Sequence, residues 1–171
     1  MKKNLVLTGM MGVGKSTIGK KLAKKLKLKF IDVDKVIEKK EKSTIREIFE
    51  NKGENYFRKI EKQVTLDQLS KTESLIALGG GAFLNLSIRK EVKSSGISFW
   101  LDLDLKFLVS RLKNVRKRPL LNKDNLEETI NRIYSERKKI YSESDYRIKM
   151  KSMNIEMVTN KIIKLYENSK N

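Results

Sequence analysis

Apolar residues fall along this chain in two alternating patterns. In the first they run together and stop at a glycine or at polar residues: Asn4-Leu-Val-Leu-Thr8, Ser74-Leu-Ile-Ala-Leu78 and Ile97-Ser-Phe-Trp-Leu101. A strand covered on both faces reads this way. Lys29-Phe-Ile-Asp-Val33 and Tyr146-Arg-Ile-Lys-Met150 are predicted as two more strands. In the second pattern apolar residues recur every three or four positions. Within 15–28, Ile18, Leu22 and Leu26 stand at i, i+4 and i+8 with lysines outside, which predicts a helix. Further helices are predicted over 34–40, 44–52, 55–70, 86–94, 105–113, 125–141 and 153–167. Strands alternating with helices predict an α/β fold of three layers, a parallel sheet covered by helices on both faces, with right-handed crossovers. Ligands of such sheets bind beyond the carboxyl ends of the strands, so the residues after each strand carry the most weight.

Nothing divides the chain. It has 171 residues, one proline (Pro119), no low-complexity linker and no internal repeat, which fits a single domain. No apolar run approaches the ~18 residues of a membrane span. Met1-Lys2-Lys3 leads only a short apolar run, cut off by the stretch from Gly9 to Lys15, so no signal peptide is read and a cytoplasmic protein is expected. The chain has neither cysteine nor histidine. That excludes disulfides, thiolate and imidazole metal sites, cysteine nucleophiles and the Ser-His-Asp triad.

The charge is lopsided: 39 Lys+Arg against 21 Asp+Glu, a formal net charge of +18. A nucleic-acid partner would suit it. Only 9 of those cations are arginines, however, and the lysines are spread over the whole chain. Base readout and tight phosphate forks favour arginine, so the lysine excess reads first as solvated surface.

One motif stands out. Gly9-Met-Met-Gly-Val-Gly14-Lys15-Ser16 follows the first strand and opens the first helix, and it matches G-x-x-x-x-G-K-[ST] in full. Glycines there let backbone N–H groups turn inward around phosphate oxygens, and the helix adds the positive end of its dipole. Lys15 would reach the β- and γ-phosphates and the Ser16 hydroxyl would bind Mg²⁺. A glycine-rich turn without a ligand is the alternative.

Weaker candidates follow the other strands. Asp32 and Asp34 close the second strand, and at i and i+2 both carboxylates are predicted to face one cleft. One acid would sit near Mg²⁺ and one on an acceptor hydroxyl, unless Asp34 only caps the next helix. Gly79-Gly80-Gly81 follows the third predicted strand and reads either as a turn or as close backbone approach to a ligand. Arg137 lies on the apolar stripe of its helix with Leu126, Ile130, Ile133, Tyr134 and Tyr141. A guanidinium there needs an anion, which is either a structural carboxylate or a substrate carboxylate. For Arg58 alone, a salt bridge to Glu61 or Glu54 is the better reading. Arg116-Lys-Arg118-Pro119 is either an exposed basic loop or a lid that carries arginine to the phosphates and excludes water.

Taken together these pieces resemble the shikimate kinase family, small enzymes of the nucleoside-monophosphate-kinase-like type. The likeness runs from Leu5 to about Tyr146. It rests on Asp32-x-Asp34, Ser43-Thr-Ile-Arg-Glu-Ile-Phe49, Gly53-Glu54-x-x-Phe57-Arg58-x-x-Glu61, the glycine triplet and Arg118-Pro119-Leu120-Leu121. The resemblance implies a P-loop NTPase-type fold with five parallel strands in the order 2-3-1-4-5. It implies a substrate-binding segment over about 33–61 and a lid over about 113–124. It implies transfer of phosphate from ATP, with Mg²⁺, to the 3-hydroxyl of shikimate, on the route to chorismate and aromatic amino acids.

By the same likeness Gly12, Val13, Gly14, Lys15, Ser16, Thr17, Arg111 and Arg118 bind ATP, with Arg111 stacked on adenine and Arg118 reaching from the lid. Asp34 holds the acceptor hydroxyl. Arg58 and Arg137 clamp the shikimate carboxylate beside Gly79, Gly80 and Gly81. Ser16 ligates the metal and Asp32 helps through water. Lys15, Asp34 and Arg118 carry the catalysis. Two departures are visible: Lys42 stands where the family often has glycine, and the segment Lys149-Met-Lys-Ser-Met-Asn154 lacks the family's usual proline, so no adenine contact is assigned there. The expected protein is a cytoplasmic monomer acting on shikimate and ATP, without a membrane or a specific nucleic acid. A gluconate-type kinase on the same scaffold fits the paired arginines and the triplet less well. A nucleotide-dependent nucleic-acid-binding protein leaves Asp32, Asp34 and the triplet unexplained.

Overall fold

The computed structural model describes residues 3–113 and 125–169. Five strands, β1 (Asn4–Thr8), β2 (Lys29–Asp32), β3 (Ser74–Ala77), β4 (Gly96–Leu103) and β5 (Tyr146–Met150), form one parallel sheet in the order β2-β3-β1-β4-β5. The helices are α1 (Lys15–Leu26), α2 (Val33–Glu41), α3 (Ile45–Leu69), α4 (Leu86–Ser95), α5 (Leu105–Lys113), α6 (Leu126–Tyr141) and α7 (Ile155–Asn168). Every residue of β1, β3 and β4 is buried, which explains their continuous apolar runs.

The two faces of the sheet hold different helices. Gly19 of α1 sits against Phe30 and Leu75, on the same face as Leu5 and Ile97. Trp100 leaves the opposite face and packs its ring against Tyr134 and Tyr141 of α6. The sheet with α1 and α6 on opposite sides makes the expected three layers.

Differences from the sequence reading have local causes. Helix α1 stops at Leu26 because Lys27 turns left-handed, at φ 53°. Strand β2 ends at Asp32, whose side chain accepts the amide of Lys35 and so caps α2. Asp34 is therefore a first-turn residue of α2, and the cap is Asp32 instead. The alternation argument for the pair does not hold, although both acids do reach the same cleft. The helices predicted over 44–52 and 55–70 run on as one element with a break at Gly53, where φ 78° and ψ 170° are open only to glycine. A reciprocal capping box between Thr44 and Glu47 starts it. A short 3₁₀ turn, Ala82–Leu84, follows the glycine triplet and has no counterpart in the sequence reading.

Candidate active site

A cleft of about 840 Å³ opens beyond the carboxyl ends of β1, β2 and β3. Its first wall is the loop from Gly9 to Gly14. Gly9, Gly12 and Gly14 all have positive φ, the conformation that turns successive amides inward. Helix α1 begins at Lys15 with no side-chain cap, so its first amides remain available to an anion. The Lys15 ammonium donates to the carbonyls of Gly9 and Met10, each at 2.8 Å, which folds the side chain over the loop. Ser16 Oγ donates to Asp32 Oδ2 at 2.5 Å. Gly12, Gly14, Lys15, Ser16 and Thr17 line the cleft, whereas Val13 is buried in the core and can offer only its backbone. Arg111 reaches over from α5 and donates to the Gly12 carbonyl at 3.1 Å.

The second wall comes from elements far apart in sequence. Asp34 of α2, Arg58 and Glu61 of α3, Gly80 and Gly81 after β3, and Arg137 of α6 all line it. Arg58 is gripped on both sides, donating to Glu61 at 2.7 Å and to Glu54 at 3.1 Å, so both ion-pair partners expected from the sequence are engaged. Arg137 Nη1 and the Tyr141 hydroxyl both donate to the Gly80 carbonyl, at 3.1 and 2.5 Å. The Gly81 α-carbon faces the Arg58 guanidinium. Gly79 does not line the cleft. It lies behind it, where a Cβ would come within 2.6 Å of Glu61 Oε1 and 2.8 Å of Asp34 Oδ1. Phe49 and Phe57, ring centroids 4.7 Å apart, add an apolar patch to this wall.

Burial dominates the electrostatics of this wall. Glu61 is 3 % exposed, and burial pushes its pKa upward against the pull of Arg58, with Asp34 adding to the rise. Burial also works against the charge of Arg58, but Glu61 and Glu54 together hold its pKa above the ordinary arginine value. The Tyr141 hydroxyl is pushed upward by burial, opposed by Arg137.

Sequence reasoning undervalued four of these residues. It named Glu61 only as a possible partner for Arg58, and it gave no role to Tyr141 or to the Phe49–Phe57 pair. Tyr141 is four residues after Arg137 on one helix stripe, a spacing that could have linked them. Arg118, and the rest of the predicted lid from residue 114 to 124, lies outside the described residues.

Ser16 and Asp32 together offer hard oxygen donors beside the phosphate loop, and no group of three acidic residues that could enclose a cation by itself occurs among the described residues. A Mg²⁺ that keeps several waters and borrows phosphate oxygens fits such a sparse pair.

A glycine-rich phosphate-loop motif at an uncapped helix start, facing a wall of paired arginines and acids, is the architecture of a small P-loop kinase. The family model described as "Shikimate kinase" matches residues 11–167. The chain is 41% identical over 160 residues to the shikimate kinase of Bartonella henselae, covering 94% of this chain and 76% of that protein. It is 46% identical over 149 residues to the shikimate kinase of Prochlorococcus marinus, covering 86% and 75%. A solved shikimate kinase from Acinetobacter baumannii, in complex with shikimate, superposes with a TM-score of 0.94 at 33% identity, covering 99% of this chain and 96% of that one. The chain belongs to the shikimate kinase family.

Proposed function

We propose that the two walls divide the family's reaction, ATP-dependent phosphorylation of the 3-hydroxyl of shikimate, between them. The observation that carries this reading is the convergence of Asp34, Arg58 and Arg137 on the cleft that the phosphate loop lines. The loop amides and Lys15 bind the β- and γ-phosphates, Lys15 swinging from the carbonyls of Gly9 and Met10 to do so. Arg111 flanks the nucleotide. Arg118, on the segment following α5, supplies a further cation to the phosphates. Ser16 and Asp32 hold Mg²⁺, which neutralises charge on the β- and γ-phosphate oxygens when bound.

On the other wall Arg58 and Arg137 hold the shikimate carboxylate, with Gly80 and Gly81 lending backbone. Both guanidiniums are already fixed, one by Glu61 and Glu54 and the other by Gly80, so little ordering remains at binding. Asp34 accepts a hydrogen bond from the 3-hydroxyl and aims its oxygen at the γ-phosphorus. The new O–P bond forms as the bond to the β-γ bridging oxygen breaks, and ADP leaves with the charge. In a loose transition state the hydroxyl proton departs late, so orientation is the main service of Asp34. One chain supplies both walls, so the reaction asks for no second copy, and we read the enzyme as a monomer of the cytoplasm.

The test is ADP release with ATP and Mg²⁺ in the presence of shikimate, gluconate or a nucleoside monophosphate. The reading requires shikimate to be the preferred acceptor. Equal or faster turnover of gluconate would refute the carboxylate clamp.

A further inference from the structure

Beyond the cleft, against the stripe of α6 that carries Arg137, an acid sits near the end of a buried strand. Asp102 of β4 is 9 % exposed in a strand that is otherwise almost wholly apolar. Its Oδ2 accepts from Arg147 Nε at 2.8 Å and Nη2 at 2.6 Å, and its Oδ1 accepts from the Tyr134 hydroxyl at 3.1 Å. Arg147 of β5 pairs in register with Trp100, and its guanidinium lies 4.5 Å from the centre of that ring. The Trp100 ring in turn carries Tyr134 and Tyr141 of α6, at 6.5 and 5.9 Å.

Only the acid is buried; the Arg147 side chain is 45 % exposed, and a pair so open to water adds little to stability. What it supplies is geometry. Tyr134, Arg137 and Tyr141 stand at i, i+3 and i+7, on one stripe of α6. The stripe is pinned at one end by Tyr134 to Asp102 and at the other by Tyr141 to the Gly80 carbonyl, and Arg137 lies between the pins. A helix held at two points on one stripe cannot rotate about its axis without breaking one of them. Rotation is the motion that would most displace the guanidinium fork from a planar carboxylate.

We infer that Asp102 is a positioning residue for the acceptor side: with Arg147 and Tyr134 it sets the rotation of α6 and so the aim of Arg137. The inference rests on the carboxylate-clamp reading of Arg137. No residue of the trio lines the cleft, so an effect on acceptor binding has to travel through α6.

The test is steady-state kinetics on Asp102→Asn, Tyr134→Phe and Arg137→Lys, singly, and on Asp102→Asn combined with Arg137→Lys. Asp102→Asn should raise the KM for shikimate about tenfold and leave the KM for ATP within about twofold. Tyr134→Phe, which removes one hydroxyl and keeps the ring, should shift the shikimate KM in the same direction by about threefold. In the Arg137→Lys background the further effect of Asp102→Asn should shrink to less than about twofold, because the group it aims has lost its fork. An unchanged shikimate KM in both Asp102→Asn and Tyr134→Phe overturns the inference, as does an equal rise in both KM values. A full tenfold effect that persists beside Arg137→Lys also overturns it, since that marks a merely structural role. If Arg137→Lys alone leaves the shikimate KM at its wild-type value, the clamp reading itself fails and the inference falls with it. If Arg137→Lys weakens shikimate while the other two variants do not, only the inference falls.

Discussion

In the proposed reading the two walls of the cleft solve the same problem, holding an anion, by different means. The nucleotide wall is local and made of backbone: six contiguous residues between β1 and α1 form a glycine-rich turn with its amides inward, and the helix dipole adds to them. The acceptor wall is assembled from α2, α3, the triplet after β3 and α6, and made of charged side chains that hold one another. Phosphate is recognised wherever oxygen atoms and charge accumulate, so a generic cradle suffices. A small hydroxylated acid has to be distinguished from its neighbours, which requires forks and acids set at fixed positions before the ligand arrives. The difference explains why Glu61 is buried although it need not touch substrate: it is the counter-charge that lets Arg58 sit rigid in a low-dielectric wall.

The largest effect should come from the nucleotide wall. Lys15→Met removes the one loop cation that can follow charge onto the transferring phosphate, and kcat should fall by about 10³-fold. Lys15 bonds to loop carbonyls and is not a core residue, so the melting temperature should stay within a few degrees, about what ~1 kcal/mol shifts in a chain of this size. Activity within tenfold of wild type would show that the loop grips phosphate without this ammonium. On the acceptor wall the smaller change Asp34→Asn keeps size and some hydrogen bonding but loses charge. Its kcat should fall by about 10²-fold with a far smaller change in the shikimate KM. A comparable rise in KM with kcat preserved would make Asp34 a binding group only.

The same contrast governs what could be read from the chain. The sheet, its layers and nearly every element were legible because burial on both faces leaves continuous apolar runs, and helices leave a period of 3.6. The phosphate loop was legible because its chemistry is contiguous. The acceptor wall was legible only through its resemblance to a family: by spacing alone Arg137 has two readings, and Arg58 reads as a salt bridge. Arg137 donates to the Gly80 carbonyl, a partner that neither reading named. Arg58 is salt-bridged to Glu61 and Glu54 and still faces the cleft. Asp32 and Asp34 were assigned to one strand face, whereas the strand ends at Asp32 and a helix begins. They meet in one cleft because a capped helix N-terminus, not strand pleating, turns the second acid toward it. The part of Tyr141 was hidden because a tyrosine on a buried stripe looks like packing until its hydroxyl is seen on the Gly80 carbonyl.

The smallest expected effect sets two acids, one behind the nucleotide wall and one in the acceptor wall, against each other. Glu156 of α7 bridges Lys21 and Lys25 of α1, the helix that the phosphate loop opens; hydrogen bonds from those lysines hold its pKa down from 4.5 to about 2. Glu61 is displaced the other way, upward, by burial. For Glu156 the unfolded chain binds the proton more readily than the folded one, so its contribution to stability is present above 4.5 and is lost as pH falls toward about 2. For Glu61 the folded chain binds the proton more readily. Its contribution is fully present below the ordinary glutamate value and is lost as pH rises through the raised one. Urea unfolding of wild type, Glu156→Gln and Glu61→Gln between about pH 3 and about pH 8 separates the two, because all other groups cancel in the differences. The advantage of wild type over Glu156→Gln should shrink toward the acid end, and modestly, since the pair is exposed. The advantage of wild type over Glu61→Gln should instead shrink as pH rises. If that second difference grows with pH, the attraction of Arg58 outweighs burial at Glu61, and the acceptor wall is stabilised by its ion pair in the same way as the exposed bridge behind the nucleotide wall.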